Sequence, residues 1–178
     1  MRRLIFTLLF VVGFIFAGSS ASAVLAQGDE YTFADVNVDY QLVLPTSWRL
    51  ADKPDNISSQ AGFVNGDKLS GYLRIRKESL DDGVSLSELA RRYRDDTLRS
   101  RPGYVDGKEE RFAGNLSGII SNYEYTYNGK QMQGRIYYLQ ADNRTVYSLH
   151  FTGLRDKLNV IRSETDAISR SFKMKKKE

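Results

Sequence analysis

After residue 30 the chain contains short runs in which apolar and polar residues alternate, a pattern typical of half-buried β-strands. The runs predict four strands, over residues 31–33, 40–44, 59–64 and 71–77. Pro45 ends the second strand, because proline cannot donate a hydrogen bond to a central ladder. In the fourth, Leu73 and Ile75 face one side of the sheet and the two arginines between and after them face the other.

Two segments carry apolar residues at helical spacing instead. Ser85 and Glu88 form a capping box, which predicts a helix beginning after Ser85. Pro102-Gly103 prevents that helix from continuing. Apolar residues at three- and four-residue steps predict a second helix at the end of the chain, from roughly Leu154 to Ser171.

Between these helices, residues 104–152 predict an antiparallel meander. Asn128-Gly129 is a strong signal for a two-residue hairpin loop. If Asp142-Asn143 forms a second two-residue loop, Tyr138 faces Tyr147. The two registers then place one apolar row on a single face of the sheet: Ile119, Tyr123, Tyr125, Ile136, Tyr138, Tyr147, Leu149 and Phe151.

This apolar row has two interpretations. Gly134 lies between Tyr123 and Phe151 in the predicted register, where a missing side chain makes room for two rings. Most of the row is expected to pack as core beneath a helix. The alternative is a pocket between the sheet and the C-terminal helix, which would bind a small apolar or aromatic ligand.

The opposite face of the meander holds the candidate binding residues. The predicted registers place His150 opposite Arg135, Arg135 opposite Asn122, and Glu124 diagonal to Arg135. These four side chains would bind a small anion or a polar ligand. The same row is also compatible with a solvated sheet face that carries one cross-strand ion pair.

The side chains available for catalysis are few. The sequence has no cysteine and one histidine, His150. Ser148 shares its face, but neighbours at that spacing on a strand are about 6–7 Å apart, too far for a nucleophile and its base. We therefore expect no enzymatic activity and no cofactor, and a hydrolase using His150 is kept only as an alternative.

One segment resembles the beginning of a calcium-binding loop. Asp35, Asn37 and Asp39 alternate as such ligands do. Tyr40 then stands where the loop needs glycine, and Thr46 where it needs glutamate. A polar edge strand is expected here instead, and no metal site is predicted.

The first 26 residues carry the pattern of a secretory signal peptide. Met1-Arg2-Arg3 supplies positive charge, Leu4–Ala17 is apolar, and small residues follow. Cleavage is expected after Ala26 or Ala23, which would make the protein periplasmic or secreted. The alternative is an uncleaved membrane anchor.

The formal net charge of +4 comes from the two ends of the chain. Residues 27–172 hold 20 basic and 21 acidic residues, so net charge gives no sign of a nucleic-acid-binding face and no nucleic-acid partner is expected. The lysines from Lys173 to Lys177 are either a solubilising end or a contact to an anionic membrane surface.

Three segments of the sequence together resemble those of a known protein family. They are Tyr40-Gln41-Leu42-Val43-Leu44-Pro45 followed by Trp48, Tyr147-Ser148-Leu149-His150-Phe151, and a last helix closing on Ser171-Phe172. Over roughly residues 31–173 the chain resembles the PsbP-like superfamily, the extrinsic photosystem II proteins and their bacterial secreted relatives. The resemblance implies an α-β-α sandwich and an accessory or scaffolding role.

These observations combine into one prediction. The chain is expected to be α+β, with a central antiparallel sheet of about six strands, one helix before the meander and one after it. The predicted divisions are a signal peptide over residues 1–26, a single domain over 27–173 and a basic disordered tail over 174–178. The expected function is non-enzymatic contact with a protein partner in the cell envelope or at the membrane surface.

Overall fold

The computed structural model describes residues 29–51 and 61–176, so the predicted signal peptide lies outside the described residues. The elements in chain order are β1 (Glu30–Phe33), β2 (Tyr40–Pro45), β3 (Trp48–Leu50), β4 (Ala61–Asn65), β5 (Gly71–Ser79), α1 (Leu86–Tyr93), β6 (Val105–Ala113), β7 (Ser117–Tyr127), β8 (Lys130–Gln140), β9 (Thr145–Leu154), α2 (Arg155–Val160), α3 (Arg162–Ser171) and β10 (Lys173–Met174). A π-helical segment, Arg94–Leu98, prolongs α1. Within these ranges no helix is long and apolar enough to cross a membrane.

The strands form one large and one small antiparallel sheet. The large sheet has seven strands in the order β3-β4-β5-β9-β8-β7-β6, and the small one has the order β1-β2-β10. The predicted α+β class with a central antiparallel sheet is confirmed. Strand β3 was not expected, and its first residue, Trp48, is fully buried.

Both faces of the large sheet are covered, which gives the sandwich its layers. One face packs against β2 and α3; its buried residues include Leu42, Leu73, Leu149, Ile168 and Phe172. The other face packs against α1 and the π-helical segment; its buried residues include Ala90, Leu98, Tyr123, Ile136 and Tyr138. Helix α1 begins where the sequence predicts, because the Ser85 side chain accepts a hydrogen bond from the Glu88 N–H at 3.2 Å.

The register of the first hairpin is confirmed. Tyr127 pairs with Lys130, and the pairing runs without a shift to Ile119 opposite Tyr138. The loop residues Asn128-Gly129 have φ values of 48° and 70°. A two-residue type I′ turn requires positive φ at both positions, which explains why this dipeptide fixes the register.

The predicted register of the second hairpin is wrong by one residue. Tyr138 pairs with Ser148, not with Tyr147. The loop has three residues instead of two, because the Ala141 N–H donates to the Thr145 carbonyl at 2.9 Å. Within it the Asp142 carboxylate accepts from the Arg144 N–H at 2.8 Å, a local turn that favours the longer loop.

This shift divides the predicted tyrosine row between the two faces. Side chains alternate along a strand, so a one-residue slip exchanges the faces of β9. Tyr147 and Phe151 pack in the core beneath α3, while Tyr123 and Tyr138 pack beneath α1. Gly134 makes room for Tyr123, whose Cζ would lie 2.0 Å from an added Cβ; the prediction that it also accommodates Phe151 is wrong.

The C-terminal helix and tail differ in detail from the prediction. The helix is broken at Ile161, whose φ and ψ of −92° and 15° separate α2 from α3. Met174 then pairs with Tyr40 in the small sheet. Lys175, in the predicted disordered tail, donates from Nζ to the Val38 carbonyl at 2.8 Å.

Candidate functional site

The four residues predicted to form one site are not brought together. Asn122 and Arg135 do face each other, as predicted, on the α3 side of the sheet. Arg135 is only 5% exposed. Its Nη2 donates to Asp166 Oδ1 at 2.9 Å and its Nε donates to the Tyr137 hydroxyl at 2.6 Å, so the guanidinium is already engaged within the fold.

Glu124 lies diagonal to Arg135, as predicted, and only His150 lies elsewhere. Glu124 Oε1 is 3.3 Å from Nε of Arg155 and does not pair with Arg135. His150 pairs with Ile136 and faces the α1 side of the sheet. The shifted second hairpin places His150 on the opposite face from Arg135. The predicted Asn122-Glu124-Arg135-His150 site is therefore wrong. Arg135 and Glu124 form structural ion pairs instead.

His150 instead lines a cleft of about 620 Å³ on the α1 side of the sheet. We call it the Tyr125 cleft. Its lining residues are Lys68, Leu69, Tyr72, Arg74, Tyr93, Arg101, Pro102, Tyr125, Thr126, Tyr127, Met132, His150 and Thr152. The cleft does not lie between the sheet and the C-terminal helix, so the predicted location of a ligand pocket is wrong.

The floor of the cleft is formed by four adjacent strands. Arg74 on β5 pairs with His150 on β9, and Tyr125 on β7 pairs with Met132 on β8. Met132 and Tyr125 are 4% and 7% exposed. Regular strands thus hold the aromatic and thioether surfaces of the cleft in fixed positions.

One rim is the turn between β4 and β5. The Asp67 carboxylate accepts from the N–H groups of Leu69 and Ser70, both at 2.8 Å. These bonds lower the pKa of Asp67. The Leu69 carbonyl in turn accepts from the Leu154 N–H at 2.6 Å, which fixes Leu69 and its neighbour Lys68 at the edge of the cleft.

The other rim is the segment that follows the π-helical turn. The Pro102 carbonyl accepts from the Thr126 N–H at 2.7 Å. Gly103 has a φ of +62°, and an added Cβ would lie 2.7 Å from Thr126 Oγ1. Glycine permits this close approach of loop and strand, which places Arg101 over the cleft.

The charge of the cleft is positive. The guanidinium carbon of Arg101 lies 4.6 Å from the centroid of the Tyr125 ring, and that of Arg74 lies 5.7 Å from the centroid of Tyr72. Both distances fall within the range of cation–π attraction. Lys68 is the third cation, and none of the described lining side chains is acidic.

The one histidine is held neutral. Burial, together with the positive charges of Arg101, Arg76 and Arg74, lowers the pKa of His150 to about 3. Its Nε2 lies 2.5 Å from the Tyr123 hydroxyl, and burial raises the pKa of Tyr123 far above the usual range of a phenol. The pair is therefore an uncharged hydrogen-bonded unit at neutral pH.

Ser148 is engaged away from His150, since its hydroxyl donates to the Glu78 carboxylate.

For metals, the described residues contain no group of three or more histidine, aspartate or glutamate side chains suited to hold an ion. The arrangement can thus bind through aromatic surface and positive charge, and it offers a weak base at best.

Sequence reasoning missed this cleft because its lining comes from four strands, helix α1 and two loops. One signal was available: on β5, Arg74 points away from Leu73 and Ile75, as the alternation predicts, and both leucine and isoleucine are fully buried. That alternation indicates a polar side of the sheet. It does not indicate which loops enclose it.

Comparisons with known proteins identify the fold. No family model and no curated protein matches the sequence. Among solved structures, the chain is similar to cyanobacterial PsbP (CyanoP) from Synechocystis sp. PCC 6803, with a TM-score of 0.58 and 10% identity over 88% of this chain and 99% of that one.

Two further structures are similar. The Ran-binding protein Mog1p of Saccharomyces cerevisiae has a TM-score of 0.61 and 9% identity, covering 82% of this chain and 95% of that one. LpqN of Mycobacterium tuberculosis, involved in cell envelope biogenesis, has a TM-score of 0.54 and 15% identity, covering 84% and 86%. The chain thus has a PsbP-like fold, as its sequence resemblance implied.

Proposed function

We propose that this chain is an exported, non-enzymatic binding domain of the cell envelope, and that the Tyr125 cleft takes up a small molecule with an apolar or aromatic body. The observation that carries the proposal is the cleft itself. Its volume of about 620 Å³ falls within the range of ligand pockets, about 300–1,000 Å³. A lining of aromatic rings with a few polar groups is typical of such sites.

The walls of the cleft favour binding without rearrangement. The ring of Tyr93 meets His150 edge-on, with centroids 6.0 Å apart, and the Tyr125 ring stacks on Tyr123 at 5.8 Å. These packed rings lose little further freedom when a ligand arrives. A surface that is ordered beforehand loses less of its binding free energy to ordering.

The absence of catalysis is part of the proposal, and the chemistry of His150 supports it. An imidazole with a pKa of about 3 is a weak general base at neutral pH. The hydroxyl within its reach belongs to Tyr123, a buried phenol that resists deprotonation. A hydrolase that uses His150 would need to overcome both effects.

Export is proposed from the sequence pattern of residues 1–26. The fold is compatible with an envelope role, because LpqN, which has the same fold, is involved in cell envelope biogenesis. Fractionation of cells that express the full chain, with N-terminal sequencing of the product, tests this part. A mature N-terminus at residue 24 or 27 supports it, and an intact cytoplasmic chain contradicts it.

Binding is tested with N-phenyl-1-naphthylamine, an uncharged aromatic fluorophore. Leu69→Trp introduces an indole at the rim and is expected to remove the fluorescence increase. Leu50→Trp is the matched control, because Leu50 is 48% exposed and does not line the cleft. If the fluorophore fails to bind wild type, or binds both variants equally well, the proposal is wrong.

Contact with a protein partner is the second candidate. Mog1p, which shares the fold, is a Ran-binding protein. In this chain β6 is a sheet edge with mostly exposed residues, and Val105 on it is 58% exposed. Capture from envelope extract by wild type and Leu69→Trp, but not by Val105→Asp, would favour this candidate over ligand binding.

A further inference from the structure

We infer that the ligand of the Tyr125 cleft is a dissolved anion, an amphiphile whose carboxylate, sulfonate or phosphate group is bound by Lys68 and Arg101. This inference rests on the proposed binding function and specifies its ligand class. Two arginines and a lysine line the cleft, and none of its described lining residues is acidic. A neutral ligand would leave Lys68 and Arg101 without a carboxylate partner among the described residues.

The charge is local to the cleft and does not follow from composition. Residues 27–172 have a formal net charge of −1. Elsewhere on the described surface, several arginines have carboxylate neighbours: Arg91 lies 2.8 Å from Glu88 and Arg144 lies 2.6 Å from Asp82. Within residues 29–51 and 61–176, no ion pair with a carboxylate is formed by Lys68 or Arg101.

The acidic residue next to Lys68 in the sequence is engaged within its own turn. Asp67 precedes Lys68, but its carboxylate accepts two backbone N–H groups of its own turn. It therefore fixes the turn that carries Lys68. The two rim cations differ in their surroundings. Arg101 lies over the Tyr125 ring, while the Lys68 side chain is exposed.

His150 adds to this preference by staying neutral. A charged imidazole would lie beside three arginines, whose positive charges oppose its protonation. A neutral ring instead offers an aromatic edge and face to the body of the ligand. The cleft thus combines two cations at its rims, Lys68 and Arg101, with an uncharged surface formed by Tyr125, Met132 and His150. This combination matches an amphiphile with one anionic end.

Two fluorophores with the same ring skeleton test the inference. We expect 8-anilinonaphthalene-1-sulfonate to bind wild type about tenfold more tightly than uncharged N-phenyl-1-naphthylamine, as one charge-assisted contact would give. Raising NaCl from about 50 to 300 mM should weaken binding of the sulfonate and leave the uncharged compound unaffected, because salt screens exposed charges.

Variants assign the effect to particular side chains. Lys68→Met and Arg101→Met should each reduce severalfold the ratio of the affinity for the sulfonate to the affinity for the uncharged compound. Lys108→Met and Arg111→Met are matched controls on β6, exposed and outside the cleft, and should leave both affinities unchanged. Lys68 is exposed, so its variant stays informative if Arg101→Met fails to fold.

The possible failures are distinguishable. If neither fluorophore binds, the proposed function is wrong. If both fluorophores bind wild type with equal affinity and neither binds Leu69→Trp, ligand binding is supported and the assignment of an anionic ligand is wrong. If wild type instead sediments with phosphatidylglycerol vesicles, Leu69→Trp does not, and the dissolved sulfonate fails to bind, the cleft recognises a lipid headgroup and the assignment to a dissolved anion is overturned.

Discussion

The Tyr123 hydroxyl lies 2.5 Å from Nε2 of His150, and this pair joins β7 to β9 across β8 beside the Tyr125 cleft. Both groups are uncharged at neutral pH, because burial disfavours the imidazolium and the phenolate alike. The pair therefore contributes a fixed polar contact to a largely apolar layer. Its protonation state links the cleft to the stability of the fold.

The low pKa of His150 predicts a loss of stability in mild acid. An unfolded chain binds the proton at a histidine pKa of about 6.5, whereas the folded chain does so only near pH 3. Between these values the unfolded state holds more protons, so the stabilisation present above pH 6.5 is lost progressively as the pH falls. We expect His150→Asn to flatten this dependence.

Urea unfolding at several pH values between 7 and 5.5 measures the effect, because carboxylates titrate mostly below this window. The sequence has no second histidine to interfere. An equal slope for wild type and variant, or an imidazole that NMR shows half-protonated near pH 6.5 in the folded protein, would contradict the prediction.

Gly134 is predicted to be intolerant of any side chain. An added Cβ would lie 2.0 Å from Cζ of Tyr123, so Gly134→Ala forces the ring to move. We expect a loss of about 1–3 kcal/mol in the free energy of unfolding, the usual cost of overpacking a core. Chemical denaturation of the variant measures it.

A double-mutant cycle supplies the control. In a Tyr123→Ala background the ring is absent, and Gly134→Ala should then cost much less. If Gly134→Ala costs the same with and without the Tyr123 ring, the contact is not the reason for glycine at this position.

The ion pair between Arg135 and Asp166 is predicted to matter for stability. Arg135 is 5% exposed and the Asp166 side chain is 30% exposed. Asp166→Ala would leave a buried guanidinium with one partner fewer, at a cost of about 2–3 kcal/mol, below that of a fully buried pair because Asp166 is reached by solvent.

The matched control is Asp82→Ala, which removes the partner of Arg144. That pair is shorter, at 2.6 Å, but its side chains are 72% and 78% exposed, and exposed pairs contribute little. The free energy of unfolding should stay close to wild type. Equal losses for the two variants in thermal and urea unfolding would show that burial does not decide the contribution.

Local patterns predicted much of the fold. The alternation of Leu73 and Ile75 with their arginine neighbours, the Ser85 cap and the Asn128-Gly129 turn each depend on residues within a few positions of one another. Such preferences act through backbone sterics and nearby hydrogen bonds. The sequence can therefore specify them without knowledge of the rest of the chain.

The second hairpin shows where local reasoning failed. Both a two-residue and a three-residue loop are compatible with the sequence around Asp142, and they differ by one step in register. The longer loop places Leu149 and Phe151 beneath α3. Burial of these residues against a distant helix favours one register, and no local pattern reports that packing.

By itself, the sequence determined the α+β class, most of the strands, the first hairpin register and the start of α1. The tertiary structure decided which face His150 occupies, and it separated His150 from Arg135. It also decided that Lys68, Arg74 and Arg101 share one cleft. Those residues lie on three separate segments, and only the packing of loops over the paired strands brings their charges together.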